Sequence, residues 1–81
     1  MARVLIVDDD RSIVRMLRLI LHTSGFEVSI AYDGVEALDE IERDPPDVVL
    51  LDLNMPVMDG ETFLRVIRNR GMQIPVIVTS A

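Results

Sequence analysis

The stretch Pro46-Asp47-Val48-Val49-Leu50-Leu51-Asp52-Leu53-Asn54-Met55-Pro56-Val57-Met58-Asp59-Gly60 decides the fold. Val48 to Leu51 form a short unbroken apolar run that closes on Asp52. A run of this length between turn-forming residues reads as a strand buried on both faces. Asn54 to Gly60, with its proline and glycine, reads as a loop, and Asp59 stands where it can cap a following helix. Phe63, Leu64 and Ile67 supply the buried stripe of that helix, and Gly71 follows its end. Pro75 to Thr79 then predicts a further strand, with Val76, Ile77 and Val78 expected to be buried on both faces in a complete sheet.

Upstream, the same alternation holds. Val4-Leu5-Ile6-Val7 is a second buried-strand run, ending in Asp8-Asp9-Asp10. Ile13, Met16, Leu17, Ile20 and Leu21 recur at helical spacing, with Arg11, Arg15, Arg18 and His22 on the other side. Val14 and Leu19 fall off that stripe. Asp10 is placed as the N-cap and Gly25 as the stop. Glu27 to Ala31 is a weaker strand. Asp33 and Glu36 have capping-box spacing and open a helix through Ala37, Leu38 and Ile41, which Pro45-Pro46 ends. The order β-α-β-α-β-α-β implies one α/β domain over residues 1–81, a parallel sheet with right-handed crossovers.

Composition bounds the function. The 81 residues carry 49% hydrophobic and 27% charged side chains, a globular balance. A chain this short buries only roughly 60–65% of its unfolded surface, so its stability is marginal. The net charge of -6 argues against a nucleic-acid surface. There is no cysteine, which excludes disulfides, zinc-thiolate sites and a thiol nucleophile. All eight basic residues are arginine, and no lysine occurs. The apolar runs are too short to span a membrane and the N-terminus lacks a signal-peptide layout, so a cytoplasmic location is expected.

Two strands end in carboxylates, one at Asp8-Asp9 and one at Asp52. In a doubly wound parallel sheet, side chains just past the strand ends converge where the strand order reverses. Taken singly, Asp8 to Asp10 read as residues favouring a helix dipole, and Asp52 as a turn residue. Taken together, at one end of one sheet, they read as a pocket. If their strands are neighbours, three carboxylates repel unless a cation lies between them, and all-oxygen ligands suit Mg²⁺. A metal-neutralised carboxylate facing a phosphoryl donor can act as a nucleophile.

The runs VLIVDDD, AYDGVEAL, PDVVLLDLNMPVMDG and IPVIVTSA resemble the receiver domain of bacterial two-component response regulators, along the whole chain. The resemblance implies a flavodoxin-like doubly wound parallel sheet, incomplete here, because the family's last strand and two helices have no counterpart. It implies Asp52 as phosphoacceptor, with no substrate turnover, and Asp9 as a direct Mg²⁺ ligand with Asp8 acting through water. The backbone carbonyl of Asn54 would be a third protein ligand. Ser80, five residues after Pro75, would be the switch hydroxyl. The expected partner is a sensor histidine kinase or phosphotransfer protein. The family's phosphoryl-pairing lysine is missing. An alternative is a fragment that serves as a folding or assembly unit, and the open fourth strand predicts a homo-oligomer, most simply a homodimer. A haloacid-dehalogenase-type hydrolase would need Asp-x-Asp, where this chain has Asp52-Leu53-Asn54.

Overall fold

The computed structural model describes residues 2–55 and 58–79. The elements are β1 (Arg3–Val7), α1 (Arg11–Thr23), β2 (Glu27–Ala31), α2 (Gly34–Arg43), β3 (Val48–Leu51), α3 (Gly60–Asn69) and β4 (Val76–Val78). Each helix begins at an aspartate whose carboxylate takes up N–H groups that have no partner within the helix. Asp10 accepts from the N–H groups of Ser12 and Ile13, Asp33 from Glu36, and Asp59 from Thr62. The Glu36 side chain reaches back, but to the N–H of Tyr32 rather than to that of the capping residue. Gly25, with φ +94°, turns the chain after α1 in a conformation that a side chain would strain. After α3, the Arg68 guanidinium donates to the carbonyls of Met72 and Ile74 and ties down the connection into β4.

All strand pairings are parallel, in the order β2-β1-β3-β4. β1 is therefore central, and the order reverses between β1 and β3, as expected of a doubly wound sheet. Alternation along the strands divides the core. Leu5, Val7, Val49 and Leu51 pack with Ala37 and Ile41 of α2 and Phe63 and Ile67 of α3, all fully buried or nearly so. Val4 and Ile6 point to the opposite face, which α1 covers over β1 and β2.

Two expectations need correction. The first concerns α1: Val14 is its buried residue, at 2% exposure, whereas Ile13, Met16 and Ile20 are exposed and Leu17 and Leu21 half-buried. Apolar residues occupy well over half the circumference of this helix, so periodicity alone does not choose which flank meets the sheet. The second concerns β4. It runs only over Val76–Val78, shorter than Pro75 to Thr79; Ile77 and Val78 are 55% and 46% exposed, which agrees with the expectation that burial on both faces requires the complete sheet. Among the described residues no strand lies beyond β4.

The corrected orientation of α1 sets the outcome of a pair of truncations. Val14→Ala removes packed atoms and should cost about 2 kcal/mol, while Ile13→Ala should cost less than about 1 kcal/mol. Urea unfolding followed by circular dichroism gives both values, and equal costs, or a larger one for Ile13, would contradict the orientation.

Candidate functional site

The β1–β3 register sets Val7 beside Leu51, so the residues that follow, Asp8 and Asp52, leave the sheet side by side. The backbone holds them there. The N–H of Asp52 donates to the Val7 carbonyl at 2.9 Å, and that of Asp8 to the Ala31 carbonyl at 3.1 Å. Beyond Asp52, the N–H of Thr79 donates to the carbonyl of Leu51 at 2.9 Å, which adds β4 to the same end of the sheet. The expected adjacency of the first and third strands is thus present.

Asp8, Asp9 and Asp52 each bring a carboxylate oxygen to within 4.8 Å of the other two. Asp8 and Asp52 are buried and Asp9 is exposed. The buried pair is braced by local donors: Asp8 Oδ1 accepts the N–H of Asp10 at 2.9 Å, and Asp52 Oδ1 that of Asn54 at 3.0 Å. Burial raises the pKa of Asp8 above the ordinary aspartate value; the Asp10 N–H opposes this, and the negative charges of Asp52 and Asp9 add to the rise. The sign of the linkage follows. Ionising Asp8 is harder in the fold than in the unfolded chain. The contribution of Asp8 to stability is therefore most favourable where it is protonated in both states, below its ordinary range, and is lost as pH rises through the elevated folded value. Once Asp8 is ionised in the fold the penalty is present, and a cation among the three carboxylates would offset it. An all-oxygen set with one exposed member fits a small hard divalent ion such as Mg²⁺, which keeps several of its waters.

Packing around the pocket is close. A Cβ on Gly60 would lie 2.6 Å from the carbonyl oxygen of Asp52 and from Leu53 Cα, so the start of α3 abuts the end of β3 as only glycine allows. A Cβ on Gly34 would meet the Met58 side chain at 2.8 Å. That second contact escapes a reading of the sequence, whose only hint is a glycine where α2 would tolerate alanine. Met55, within the stretch read as a loop, is buried in the core, and Met58 packs against that core. A recess of about 520 Å³ beside the pocket is lined by Leu53, Asn54, Met55, Asp59 and Glu61. The hydroxyl of Thr79 is engaged with the Leu51 carbonyl at 3.3 Å. Ser80 lies outside the described residues. His22 is exposed in the last turn of α1, away from the carboxylates. No helix among the described residues is long and apolar enough to cross a membrane.

Comparison with known proteins agrees with this geometry. Residues 4–81 match the family described as the response regulator receiver domain. The response regulator MprA of Mycobacterium avium is 46% identical over 79 residues, which are 98% of this chain and 35% of that protein. The chain thus spans about a third of the length of the curated relatives it matches. Among solved structures, the receiver domain of the Francisella response regulator 1452 superposes with a TM-score of 0.95 at 34% identity, over 100% of this chain and 67% of that one. The chemotaxis protein CheY4 of Vibrio cholerae gives 0.91 at 40% identity, over 96% of this chain and 67% of that one. Family match, identity and a near-complete superposition converge, and the chain belongs to the response regulator receiver domain family.

Proposed function

We propose that this chain is a Mg²⁺-dependent phosphoacceptor, modified on Asp52, in a two-component phosphorelay. The observation that carries the reading is the set of three carboxylates within 4.8 Å at the ends of β1 and β3, with Asp52 buried among them. Asp9 and Asp52 would hold the ion directly, with Asp8 through water and Asn54 through its backbone carbonyl. When bound, the ion offsets the pocket's negative charge and that of the transferring phosphoryl group. An Asp52 oxygen forms the bond to phosphorus as the P–N bond to a donor imidazole breaks. The imidazole leaves with the electron pair and is then protonated. The Ser80 hydroxyl would bond a phosphoryl oxygen afterwards. The donor would be a sensor histidine kinase or phosphotransfer protein, met by this chain in the cytoplasm, and Asp52 takes the group without turnover of a substrate.

No lysine is present in the 81 residues to stabilise the developing charge. A single such donor is commonly worth on the order of a hundredfold in rate. Incubating the chain with acetyl phosphate and Mg²⁺ should add one phosphoryl group, slowly, as read by intact mass. Asp52→Asn or removal of Mg²⁺ should abolish it. Modification that survives either change would contradict the reading, and rapid modification would contradict the role given to the missing lysine.

Self-association is a second reading with an observation of its own. Among the described residues no strand pairs with the outer edge of β4, where Ile77 and Val78 are exposed, and fully burying each such side chain is worth about 1.5–3 kcal/mol. Strand pairing across a two-fold axis would satisfy the open backbone edge and partly cover these two side chains, which point to opposite faces of the sheet. Light scattering over a dilution series should show a homodimer that Ile77→Lys converts to monomer, and a folded parent monomer throughout the series would dispose of it.

A further inference from the structure

The phosphoacceptor reading makes no use of one flank of α1. Arg11, Arg15, Arg18 and His22 follow one another at i, i+4, i+7 and i+11, so they form a single stripe about 16 Å long. The stripe faces edge strand β2, on the side of the helix away from Ile13, Met16 and Ile20. The Arg11 guanidinium lies 4.1 Å from the centroid of the Tyr32 ring just beyond β2. A cleft of about 140 Å³ lined by Arg11, Val14, Arg15, Arg18, Ile30 and Tyr32 runs between helix and strand. An adjoining one of about 250 Å³, lined by Arg15, Arg18, Leu19 and His22, extends it along the helix.

Four of the other five arginines have partners within the chain: Arg3 bonds Asp44 and Glu27, Arg43 bonds Glu40, Arg70 bonds Glu42, and Arg68 is held by backbone carbonyls; Arg65, on α3, makes no ion pair among the described residues. Among the described residues, Arg11, Arg15 and Arg18 have no carboxylate within ion-pair distance, and α1 contains no acidic residue. A cationic stripe without counter-charges is thus concentrated on one flank of a chain whose net charge is -6. Three features bear on the ligand. The guanidiniums recur at the pitch of a helix. The cleft floor at Val14, Ile30 and Tyr32 is apolar or aromatic, and the exposed Leu19 adds an apolar rim. Finally, the net negative charge repels an extended polyanion such as nucleic acid or an anionic bilayer, but less a short segment that reaches only this flank.

We propose that the cleft between α1 and β2 docks an acidic helical segment of a partner protein, with carboxylates spaced to meet Arg11, Arg15 and Arg18 and an apolar side chain against Leu19 and Ile30. Guanidiniums prefer carboxylates in such paired contacts, and Arg11 is already oriented by Tyr32. The proposal does not rest on chemistry at Asp52.

The test uses the isotope-labelled 81-residue chain and a helical probe peptide of roughly 16 residues, carrying glutamates at i, i+4 and i+7 and leucines between them. Its glutamine counterpart, a DNA duplex and phosphatidylserine vesicles complete the set. The acidic peptide should shift the amides of Arg15, Arg18, Ile30 and Tyr32, and added salt should weaken it. Arg15→Glu/Arg18→Glu should bind it about tenfold more weakly or worse, Arg15→Gln/Arg18→Gln should fall between, and both should keep the parent's remaining amide spectrum. Slow phosphorylation of Asp52 by acetyl phosphate, if present in the parent, should be unchanged in both, which separates this claim from the preceding one. The proposal is overturned if the acidic peptide does not bind, if it maps to the Ile13–Met16 flank, if the glutamine peptide binds equally, or if DNA or vesicles bind these residues more tightly than the peptide.

Discussion

The parallel pairing of β1 with β3 is the constraint on which the rest depends. It places Val7 against Leu51, and thereby delivers Asp8, Asp9 and Asp52 to one point in space from positions more than forty residues apart in sequence. Such a convergence is unfavourable in itself, because like charges are gathered and two are buried. Much of the surrounding structure can be understood as what makes it tolerable. Local N–H donors face the buried carboxylates, Gly60 lets α3 close against the end of β3, and a dry core of Leu5, Val7, Val49, Leu51, Phe63 and Ile67 stands behind the strand ends. An arrangement costly for the protein alone and favourable with a cation is characteristic of a binding site.

How much of this was legible in the sequence follows from the range of each interaction. The three capping aspartates bond to residues two or three positions away, and a local pattern reveals them. The buried strands β1 and β3 were legible because four successive apolar residues bounded by polar ones leave few other options. The flank of α1 that faces the sheet was not, because the helix is apolar over both the flank of Ile13 and that of Val14. Only the packing of a distant strand separates them. For the same reason, Tyr32 did not stand out. Its contact with Arg11 joins two elements that only the sheet brings together. At the pocket, the residue types were readable and their meeting was conditional on strand order, which the family resemblance supplied and the ladder then displayed.

α1 emerges with three distinct sides. One is buried on β1 and β2 through Val14, one is exposed and apolar, and one is cationic. The last two both lie away from the carboxylate pocket along the helix, yet Asp10 joins them to it directly: it caps α1 through its side chain, while its N–H bonds Asp8. A change of charge at the pocket is therefore one hydrogen bond away from the first turn of the helix that carries both surfaces.

The central claim, that Asp8, Asp9 and Asp52 form one cation pocket, is tested most directly by titrating the chain with Mg²⁺ while recording amide shifts. The account predicts weak, saturable binding whose shifts centre on Asp9 and Asp52, with loss of binding in Asp9→Ala and in Asp52→Ala variants that remain folded. Binding in those variants equal to that of the parent would contradict it.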